Sequence, residues 1–549
     1  MHISMLIIST YILVLFVTFV TGFEVTEKQR EILMKATVEY ENDISMNEEM
    51  VAFPSVVTPS PPPITGPDWR QDADPYFLLP YILFDPLGQH PAFRAKKRKL
   101  YCHLCAEDGR CSLLSRGSVN EWNNARKDRS NPRMLFDVEG PVLLVSKVYK
   151  CEHGHDIPAS YFHDTSEDYT CVPFVLTHRS GMTMRLADEI EDLLDRGLAI
   201  SAVEELIKER YKRTLRNRLL RFLNDAHQAK ELGFTQSAEE LNFDVPGNLF
   251  PCPGDNLIRS VYVASFNEKK HLFTEAMNSL NAKWISCDHT FKAAANIGFE
   301  RKEDSAWITQ YTSLFCIINE KGQVIRWSFA MSESFDEVKP LFEALSLDFK
   351  NRGVKLSGIY TDNCCKWRHL LTLYFPNVPV KLDLFHAIQR ITKKVSKRSH
   401  IFAEVCKDYS LVFRDQRDQA IERKLPTPAP EEILRNLNNF ITKWVSYKNS
   451  SGARVISKSV EKELKNIECH VRKGCLSHIP PGCGTTRNER LHRELKKTTV
   501  TNRIGVDLAR TRVERTLFNS NRKRDANLPS IGDMLINSRK KILLTGVPQ

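Results

Sequence analysis

The sequence has too few hydrophobic residues for a protein that crosses a membrane many times, and too many for a wholly disordered chain. Hydrophobic residues make up 42% and charged residues 26% of the 549 residues, and the mean hydropathy is −0.35. The 14 cysteines lack the pattern of an extracellular disulfide framework. The length excludes a single small module. These absences leave a multidomain protein that can bury a large core.

Acidic residues are fewer than basic ones. The chain has 67 Asp and Glu against 78 Lys and Arg, a net charge of +11, and much of the surplus lies in residues 484–549. A basic surplus favours a polyanionic partner. Arg94–Lys99 is a basic cluster of the kind used for nuclear import or nucleic-acid contact, although a solvated loop can have the same composition. We therefore expect a nuclear protein.

The first 23 residues contain no Asp, Glu, Lys or Arg, and residues 6–20 form a strongly apolar run. This segment is typical of a signal peptide, but a single short membrane anchor or a misread start codon would have the same pattern. The alternative localisation is therefore the secretory pathway or a membrane. Residues 24–68 are acidic and then proline-rich, which predicts a disordered linker with folded structure beginning near Trp69.

Cysteine and histidine residues recur in two knuckles between residues 69 and 172. Cys102-x-x-Cys105 presents two thiolates in one turn, and Cys151-Glu-His-Gly-His155 can close the site. Tetrahedral zinc takes four such ligands. The spacing predicts a zinc-ribbon-like domain over 69–172, with structural Zn²⁺ held by Cys102, Cys105, Cys151 and His155. His153 is the alternative fourth ligand, and buried cysteines with surface histidines are the alternative interpretation.

Residues 173–250 have helical periodicity. Apolar residues between Leu186 and Leu194 are followed by Gly197, and Ser201-Ala-Val-Glu204 predicts a capping box that opens a second helix. The pair resembles a helix-turn-helix, a DNA-binding element, although an ordinary helical hairpin has the same periodicity. The second helix continues as a basic stretch that contains Arg210, Lys212, Arg213, Arg216, Arg218 and Arg221.

The pattern becomes α/β in residues 251–400. A strand over 284–292 carries Asp288, a hairpin spans 311–330, and a strand over 356–363 ends in Asp362. An unpaired charge inside an apolar strand costs several kcal/mol, so such acids are paired, metal-bound or at an exposed strand end. A strand over 378–382 leads into a helix with His386. Cys364 and Cys365, next to Asp362, are interpreted as buried reduced thiols.

A mostly helical insertion over 401–480 precedes the last segment, 481–549, which is predicted to be a closing helix with a basic tail. The order of these motifs, ending in Thr485-Thr-Arg-Asn-Glu489-Arg-Leu-His-Arg-Glu-Leu-Lys-Lys497, resembles the ribonuclease H-like DDE transposases. Among these, the sequence is most similar to Mutator-like element (MULE) transposases and the related bacterial insertion-sequence enzymes. The resemblance covers residues 284–497, about two-fifths of the chain.

The resemblance implies a ribonuclease H-like mixed sheet interrupted by the insertion. It implies that Asp288, Asp362 and Glu489 are catalytic and bind two Mg²⁺ or Mn²⁺ ions, which is consistent with the preference of these ions for oxygen ligands. Glu494 is the reserve acid. His386 takes the place of the histidine in the family's Cys-x-x-His helix, with Asp383 in place of the cysteine. The basic residues expected to hold DNA phosphates on the closing helix are Arg490, Arg493, Lys496 and Lys497.

The sequence therefore predicts a DNA transposase, or a protein derived from one, that cleaves DNA and joins a 3′-hydroxyl to target DNA. Its expected partners are transposon ends, target DNA and further copies of itself, with no small-molecule substrate. Three alternatives remain open. They are a domesticated DNA-binding regulator that does not cut, a secreted or membrane-anchored zinc protein, and a nuclease for RNA–DNA hybrids.

Overall fold

The computed structural model describes a large part of the chain. The described residues are 25–46, 54–61, 74–89, 91–94, 99–107, 109–110, 112–116, 122, 132–160, 174–177, 180–234, 251–395, 397, 400–420, 422–448, 452, 454–484, 491–495 and 503–537. The chain divides into two compact units, unit 1 up to Ser265 and unit 2 from Phe266. Both combine helices with sheets, so the protein is α/β with mixed sheets, as the sequence predicts.

Unit 1 is built from short strands and helices followed by two longer helices. Its elements are α1 (Glu27–Met46), α2 (Asp74–Phe77), β1 (Tyr81–Phe84), α3 (Pro86–Gln89), α4 (Pro91–Arg94), α5 (His103–Glu107), β2 (Leu114–Arg116), β3 (Arg133–Asp137), β4 (Gly140–Ser146), β5 (Val148–Cys151), β6 (Asp156–Pro158), β7 (Phe174–Leu176), β8 (Gly181–Thr183), α6 (Met184–Asp195) and α7 (Ile200–Glu231). They form a five-stranded sheet in the order β1-β4-β3-β8-β7 and a three-stranded sheet in the order β2-β5-β6.

Helix α1 lies inside the segment predicted to be a disordered linker, so the structure differs from that expectation. Leu33 is buried in a hydrophobic cluster with strand residues of the five-stranded sheet. The Gln29 side chain exchanges two hydrogen bonds with the backbone of Leu79, and Glu41 pairs with the fully buried Lys147. Acidic composition suggested disorder, but the acid at position 41 instead neutralises a buried lysine, which would be costly to leave unpaired.

Helices α6 and α7 occupy the segment expected to resemble a helix-turn-helix. Gly197, with φ +93°, separates them as predicted, but Ser201 is not the cap, because α7 begins at Ile200 and its N-cap residue Ala199 makes no side-chain capping bond. The second helix is also long, at 32 residues. Within its basic stretch, Arg213, Arg216 and Arg221 are exposed and lie on one side of the helix.

Unit 2 contains most of α8 (Asp255–Asn278), a main sheet and the helices around it. The later elements are β9 (Ile285–Thr290), β10 (Ile297–Glu300), β11 (Trp307–Thr309), β12 (Ser313–Asn319), β13 (Val324–Ala330), α9 (Phe335–Arg352), β14 (Ile359–Thr361), α10 (Cys364–Tyr374), β15 (Val380–Leu382), α11 (Leu384–Thr392), α12 (Phe402–Leu411), α13 (Pro430–Trp444), α14 (Lys458–Arg472), β16 (Ile504–Gly505) and α15 (Val506–Arg524). Residues 491–495 are also helical.

The main sheet has the order β13-β12-β9-β14-β15. Strands β9, β12 and β13 pair antiparallel, whereas β14 pairs parallel with β9 on one side and with β15 on the other. All seven residues of β12 are buried, as expected for a strand covered on both faces. A small sheet, β11-β10-β16, lies outside the main one. The predicted hairpin of β12 and β13 and the strands that carry or precede the two acids are therefore present.

One continuous hydrophobic core joins the main sheet of unit 2 to its helices. Helix α9 is delimited by Ser334, whose side chain accepts from the Asp336 amide, and by Gly353 in the left-handed conformation. The helical insertion belongs to the same core, since Trp444 of α13 and Leu464 of α14 are buried in it. The insertion therefore packs as part of unit 2 and does not form a separate core.

No helix among the described residues is both long and apolar enough to cross a membrane. The apolar segment 1–23, predicted to be a signal peptide or anchor, lies outside the described residues.

Glu514 in α15 generates a prediction about stability. Burial raises the pKa of Glu514 from 4.5 to about 7, against the opposing charges of Lys270 and Arg510. Because the folded-state pKa is raised, the stability linked to the protonated acid is complete below pH 4.5 and is lost as the pH rises through 7. Glu514→Gln mimics the protonated form. We expect the free energy of unfolding of this variant, measured with urea, to exceed that of the wild type by about 1–3 kcal/mol at pH 8 and to equal it at pH 4.5.

The exposed Glu275 provides the control for this measurement, since its replacement by Gln removes a carboxylate that is not buried. Equal stability of Glu514→Gln and wild type at pH 8 would contradict the assignment of a buried, proton-linked carboxyl group at position 514.

Candidate active site and metal-binding groups

Three acids lie level with one another where the parallel strands of the main sheet end. Cys287 of β9 is level with Thr361 of β14, and Thr361 is level with Leu382 of β15. The residue that follows each of these in the chain is an aspartate, and these are Asp288, within β9, and Asp362 and Asp383, immediately after β14 and β15. Neighbouring strands lie about 4.8 Å apart, and level residues of parallel strands point to the same face. The sheet register therefore places Asp288 next to Asp362, as the sequence predicted for the two strand-borne acids.

Helix α11 positions its polar side chains against these acids. Asp383 is fully buried and caps the helix, because its carboxylate accepts a hydrogen bond of 2.9 Å from the His386 amide. His386 Nε2 lies 3.3 Å from Asp288 Oδ2. One turn further on, Arg390 donates to the Asp362 carbonyl at 3.1 Å and forms an ion pair with its carboxylate. Both predicted strand acids are thus paired with cations from one helix.

The charge state of His386 follows from its neighbours. Burial lowers the pKa of His386, but the hydrogen bond and charge of Asp288, with smaller contributions from Asp383 and Asp362, outweigh burial and raise it to about 9. His386 is therefore protonated at neutral pH. By contrast, burial lowers the pKa of the neighbouring His289, whose Nδ1 lies 2.9 Å from Ser313 Oγ. Two histidines close to Asp288 thus have opposite charge preferences.

Asp288, Asp362 and His386 line one cavity of about 610 Å³. The charged side chains that complete its wall come from the turn after β9, the loop before α9, the residue that ends α11 and the helical residues 491–495. These are Lys292, Glu333, Lys393 and Arg493. Such a mixture of acids at the sheet end and bases around the rim suits a substrate with phosphate groups and bound cations.

The segment predicted to carry the third acid is only partly described. Glu489, Arg490, Lys496 and Lys497 lie outside the described residues, whereas Arg493 is described and lines the cavity next to His492. On the other side of the gap, Gly484 lies against Asp383. A Cβ atom at this position would meet Asp383 Oδ2 at 2.5 Å, and the backbone φ is +132°, so glycine is required. The described residues on either side of Glu489 therefore lie close to the acid cluster formed by Asp288, Asp362 and Asp383.

The reserve acid, Glu494, points away from the cavity. Its carboxylate accepts a hydrogen bond of 2.6 Å from Ser520 of α15, and it does not line the cavity. Sequence reasoning missed Glu333 and His492 as cavity residues. No sequence pattern marks either residue as part of a site. Glu333 lies in an exposed loop, and His492 lies in a helical segment next to the charged residues Arg493 and Glu494.

The predicted zinc ligands in unit 1 come together. Cys102, Cys105, Cys151 and His155 place one ligand atom each within 4.8 Å of one another. Cys102 and Cys105 lie at and just after the start of α5, and Cys151 ends β5, which forms a hairpin with β6. Gly154, at φ +82°, makes the turn that brings His155 back. The group can hold a metal such as zinc, as the sequence predicted.

The distances within this group fit a metal tetrahedron. With Zn–S bonds of about 2.3 Å and Zn–N bonds of about 2.0–2.1 Å, the edges of a tetrahedron are about 3.8 Å between sulfurs and about 3.5 Å between sulfur and nitrogen. Cys105 Sγ lies 3.8 Å from Cys151 Sγ and 3.4 Å from His155 Nδ1, and Cys102 Sγ lies 3.5 Å from His155 Nδ1. These three distances are close to those expected between ligands of one zinc ion.

A second group of this type lies in unit 2. Cys364 and Cys365, interpreted from sequence as buried thiols, lie with His470 and Cys475 in another set of ligand atoms within 4.8 Å. This group can also hold a metal such as zinc. The interpretation as buried thiols was incomplete. The partner residues are about a hundred positions away in the sequence, and no Cys-x-x-Cys motif indicates a metal site there.

The two histidines near the first group provide a matched pair of variants. His153 Nδ1 also lies 3.4 Å from Cys105 Sγ, but His155 belongs to the set of four. We expect His155→Ala to weaken zinc binding by more than the roughly 10-fold to 100-fold that loss of an outer-shell partner costs, and His153→Ala to leave it nearly unchanged. Competition with a chromophoric chelator measures both. A greater loss of zinc affinity in His153→Ala than in His155→Ala would instead make His153 the fourth ligand.

Comparison with known proteins identifies no family for this chain. No protein-family model matches the chain, and a search of curated proteins finds no similar sequence. The function must therefore be inferred from the residues and from the geometry of the acid cluster and the two Cys/His groups.

Proposed function

We propose that this chain is a DNA transposase, or a protein derived from one, that cleaves DNA with the help of divalent metal ions and transfers the 3′-hydroxyl to target DNA. One observation carries the proposal. Asp288 and Asp362 lie level on neighbouring parallel strands and line one cavity with basic side chains. Carboxylates from adjacent strands beside bases that can hold phosphates are what metal-dependent phosphoryl transfer requires.

The strand order supports a ribonuclease H-like core as part of this proposal. The resemblance in the sequence implies a mixed sheet in which hairpin strands precede a strand-end acid and a closing helix. The chain has three antiparallel strands followed by two that are parallel to the first, with the acids on the first and the fourth. The helical insertion follows this sheet and precedes His492 and Arg493, which line the cavity.

The acids suit Mg²⁺ or Mn²⁺ because hard divalent ions prefer oxygen ligands. Asp288 and Asp362 would hold the ions, together with Glu489, whose described neighbours lie close to the cluster. Bound ions would activate a water or 3′-hydroxyl and stabilise the leaving oxygen of the phosphodiester. His386 and Arg390 hold the two carboxylates in place, and Lys393 and Arg493 supply positive charge for DNA phosphates.

The partners follow from the reaction. DNA ends and target DNA are the proposed substrates, and no small molecule is required. We propose a homo-oligomer, because two ends must be handled together, and a nuclear location, because the substrate is DNA. The exposed arginines of α7 and the zinc group of unit 1 fit a DNA-recognition region that precedes the core.

The ion pairs at the site favour one alternative, a domesticated DNA-binding regulator that does not cut. Asp288 and Asp362 are neutralised by His386 and Arg390, so neither the burial of Asp288 nor the charge of Asp362 requires a metal ion. Such a protein would keep the basic cavity rim and bind DNA without hydrolysis. Nicking and DNA binding must therefore be measured separately.

Asp362→Asn tests the catalytic proposal, because the amide keeps the shape of the side chain and removes its charge. With the full chain in Mg²⁺ or Mn²⁺, we expect the wild type to nick supercoiled plasmid and the variant to be slower by about 100-fold or more. EDTA should abolish nicking. Asp336→Asn, at an exposed acid in the first turn of α9, is the matched control and should nick at the wild-type rate.

Nicking that survives in Asp362→Asn would contradict the role given to this acid. Absence of nicking by the wild type, on cognate ends as well as plasmid, with intact DNA binding would favour the regulator.

Lys393→Ala tests the basic rim. Lys393 is exposed and lines the cavity, so its loss should weaken DNA binding uniformly across sequences and lower the slope of log affinity against log salt by about 1. Fluorescence anisotropy over a salt series measures both quantities. Lys355→Ala removes an exposed lysine that does not line the cavity and should change neither. Equal effects of the two substitutions would show that only net charge matters.

A further inference from the structure

We propose that Cys364, Cys365, His470 and Cys475 form a second structural zinc site, which fastens the helical insertion to the main sheet beside Asp362. The four ligand atoms lie within 4.8 Å of one another. Three separate parts of unit 2 supply them, namely the first turn of α10, the last turn of α14 and the loop after α14. The proposal does not depend on whether the chain cuts DNA.

The distances match a tetrahedron with one nitrogen and three sulfur ligands. Cys365 Sγ lies 3.6 Å from Cys475 Sγ and 3.9 Å from Cys364 Sγ, and His470 Nδ1 lies 3.3 Å from Cys365 Sγ and 3.7 Å from Cys364 Sγ. The edges expected around zinc are about 3.8 Å between sulfurs and about 3.5 Å between sulfur and nitrogen. These values resemble those of the group in unit 1, whose ligands the sequence already predicted.

Ordinary burial of cysteines does not account for this arrangement. Buried thiols pack as small apolar groups and need no histidine. Here a ring nitrogen of His470 is directed at two sulfurs, and Cys364 and Cys475 are fully buried. All four cysteine and histidine side chains converge although the sequence separates them by as many as 111 positions, from Cys364 to Cys475. A shared metal ion gives the convergence a physical cause.

A guanidinium group supplies the charge that such a site needs. Zinc with three thiolates and a neutral imidazole has a net charge of −1, which is costly to bury alone. Arg368, one turn along α10, donates from its guanidinium to Cys475 Sγ at 2.9 Å and to the Val380 carbonyl at 3.3 Å. The cation therefore lies next to one of the thiolates and is held by the edge strand of the sheet.

The loop that carries Cys475 is already joined to the sheet. The Leu382 amide donates to the Cys475 carbonyl at 3.0 Å, and Lys381 Nζ donates to the Gly474 carbonyl at 2.7 Å. The other two cysteines begin α10, two and three residues after Asp362. An ion at this point would fix the turn between β14 and α10, and with it the position of Asp362, to the end of the insertion.

Zinc content per chain tests the proposal on the full protein, purified with a thiol reductant and measured by plasma mass spectrometry. We expect two zinc ions in the wild type, one in Cys475→Ser and one in Cys105→Ser, which removes a ligand of the group in unit 1. Cys469→Ser is the matched control, because Cys469 is exposed, adjoins His470 and is not in the group. It should retain two ions.

Cys105→Ser keeps the test decisive even if Cys475→Ser fails to fold, because it leaves the second group intact. This variant should still bind one zinc ion. Replacement of that zinc ion by Co²⁺ should give the visible absorption of a tetrahedral thiolate site. His470→Cys, which supplies a fourth thiolate, should retain the ion, whereas His470→Ala should weaken its binding. One zinc ion in the wild type and none in Cys105→Ser would overturn the proposal, as would a disulfide between Cys365 and Cys475 that persists in the protein purified with the thiol reductant.

Discussion

Parallel pairing of β14 with its two neighbours is the constraint on which the site of unit 2 depends. A shift by one residue would turn the side chain of Asp362 to the opposite face of the sheet from Asp288. The register is held by apolar side chains, since Ile285, Ile359 and Leu382 are all fully buried. The hydrophobic core therefore determines that the acids at the strand ends meet, and α11 then presents its cations to them.

Charge balance explains the residues around the acids. Three carboxylates at adjacent strand ends repel one another, and each is stabilised differently. Asp383 accepts from a helix N-terminus, Asp288 pairs with a protonated His386, and Asp362 pairs with Arg390. A divalent ion would bring its own positive charge to Asp288 and Asp362, so metal binding and these ion pairs compete for the same carboxylates. The two carboxylates are thereby neutralised without a metal ion, and the proposed binding of a divalent ion would require the release of His386 or Arg390.

The sequence could predict what local patterns encode. Alternating apolar residues and a turn indicate the hairpin of β12 and β13, and the spacing of Cys102, Cys105, Cys151 and His155 indicates their shared group. Folding of residues 27–46 was missed because the partners of Glu41, Lys147 and Trp122, are distant in the sequence and leave no pattern in the helix itself. Cys364 and His470 were missed as neighbours for the same reason, since their proximity is a property of tertiary packing.

The helical insertion therefore has a role in the core that its position in the sequence does not reveal. Trp444 and Leu464 bury its apolar faces in the core of the main sheet, and the loop after α14 adds hydrogen bonds at the edge strand β15. Apolar burial is not directional, so it alone would leave the insertion free to slide against the sheet by small amounts. The ligand set of Cys364, Cys365, His470 and Cys475 would be directional, and its first member lies two residues beyond Asp362. A rigid connection at that point would make the geometry of the acids depend on the insertion, although none of the insertion's described residues lines the cavity.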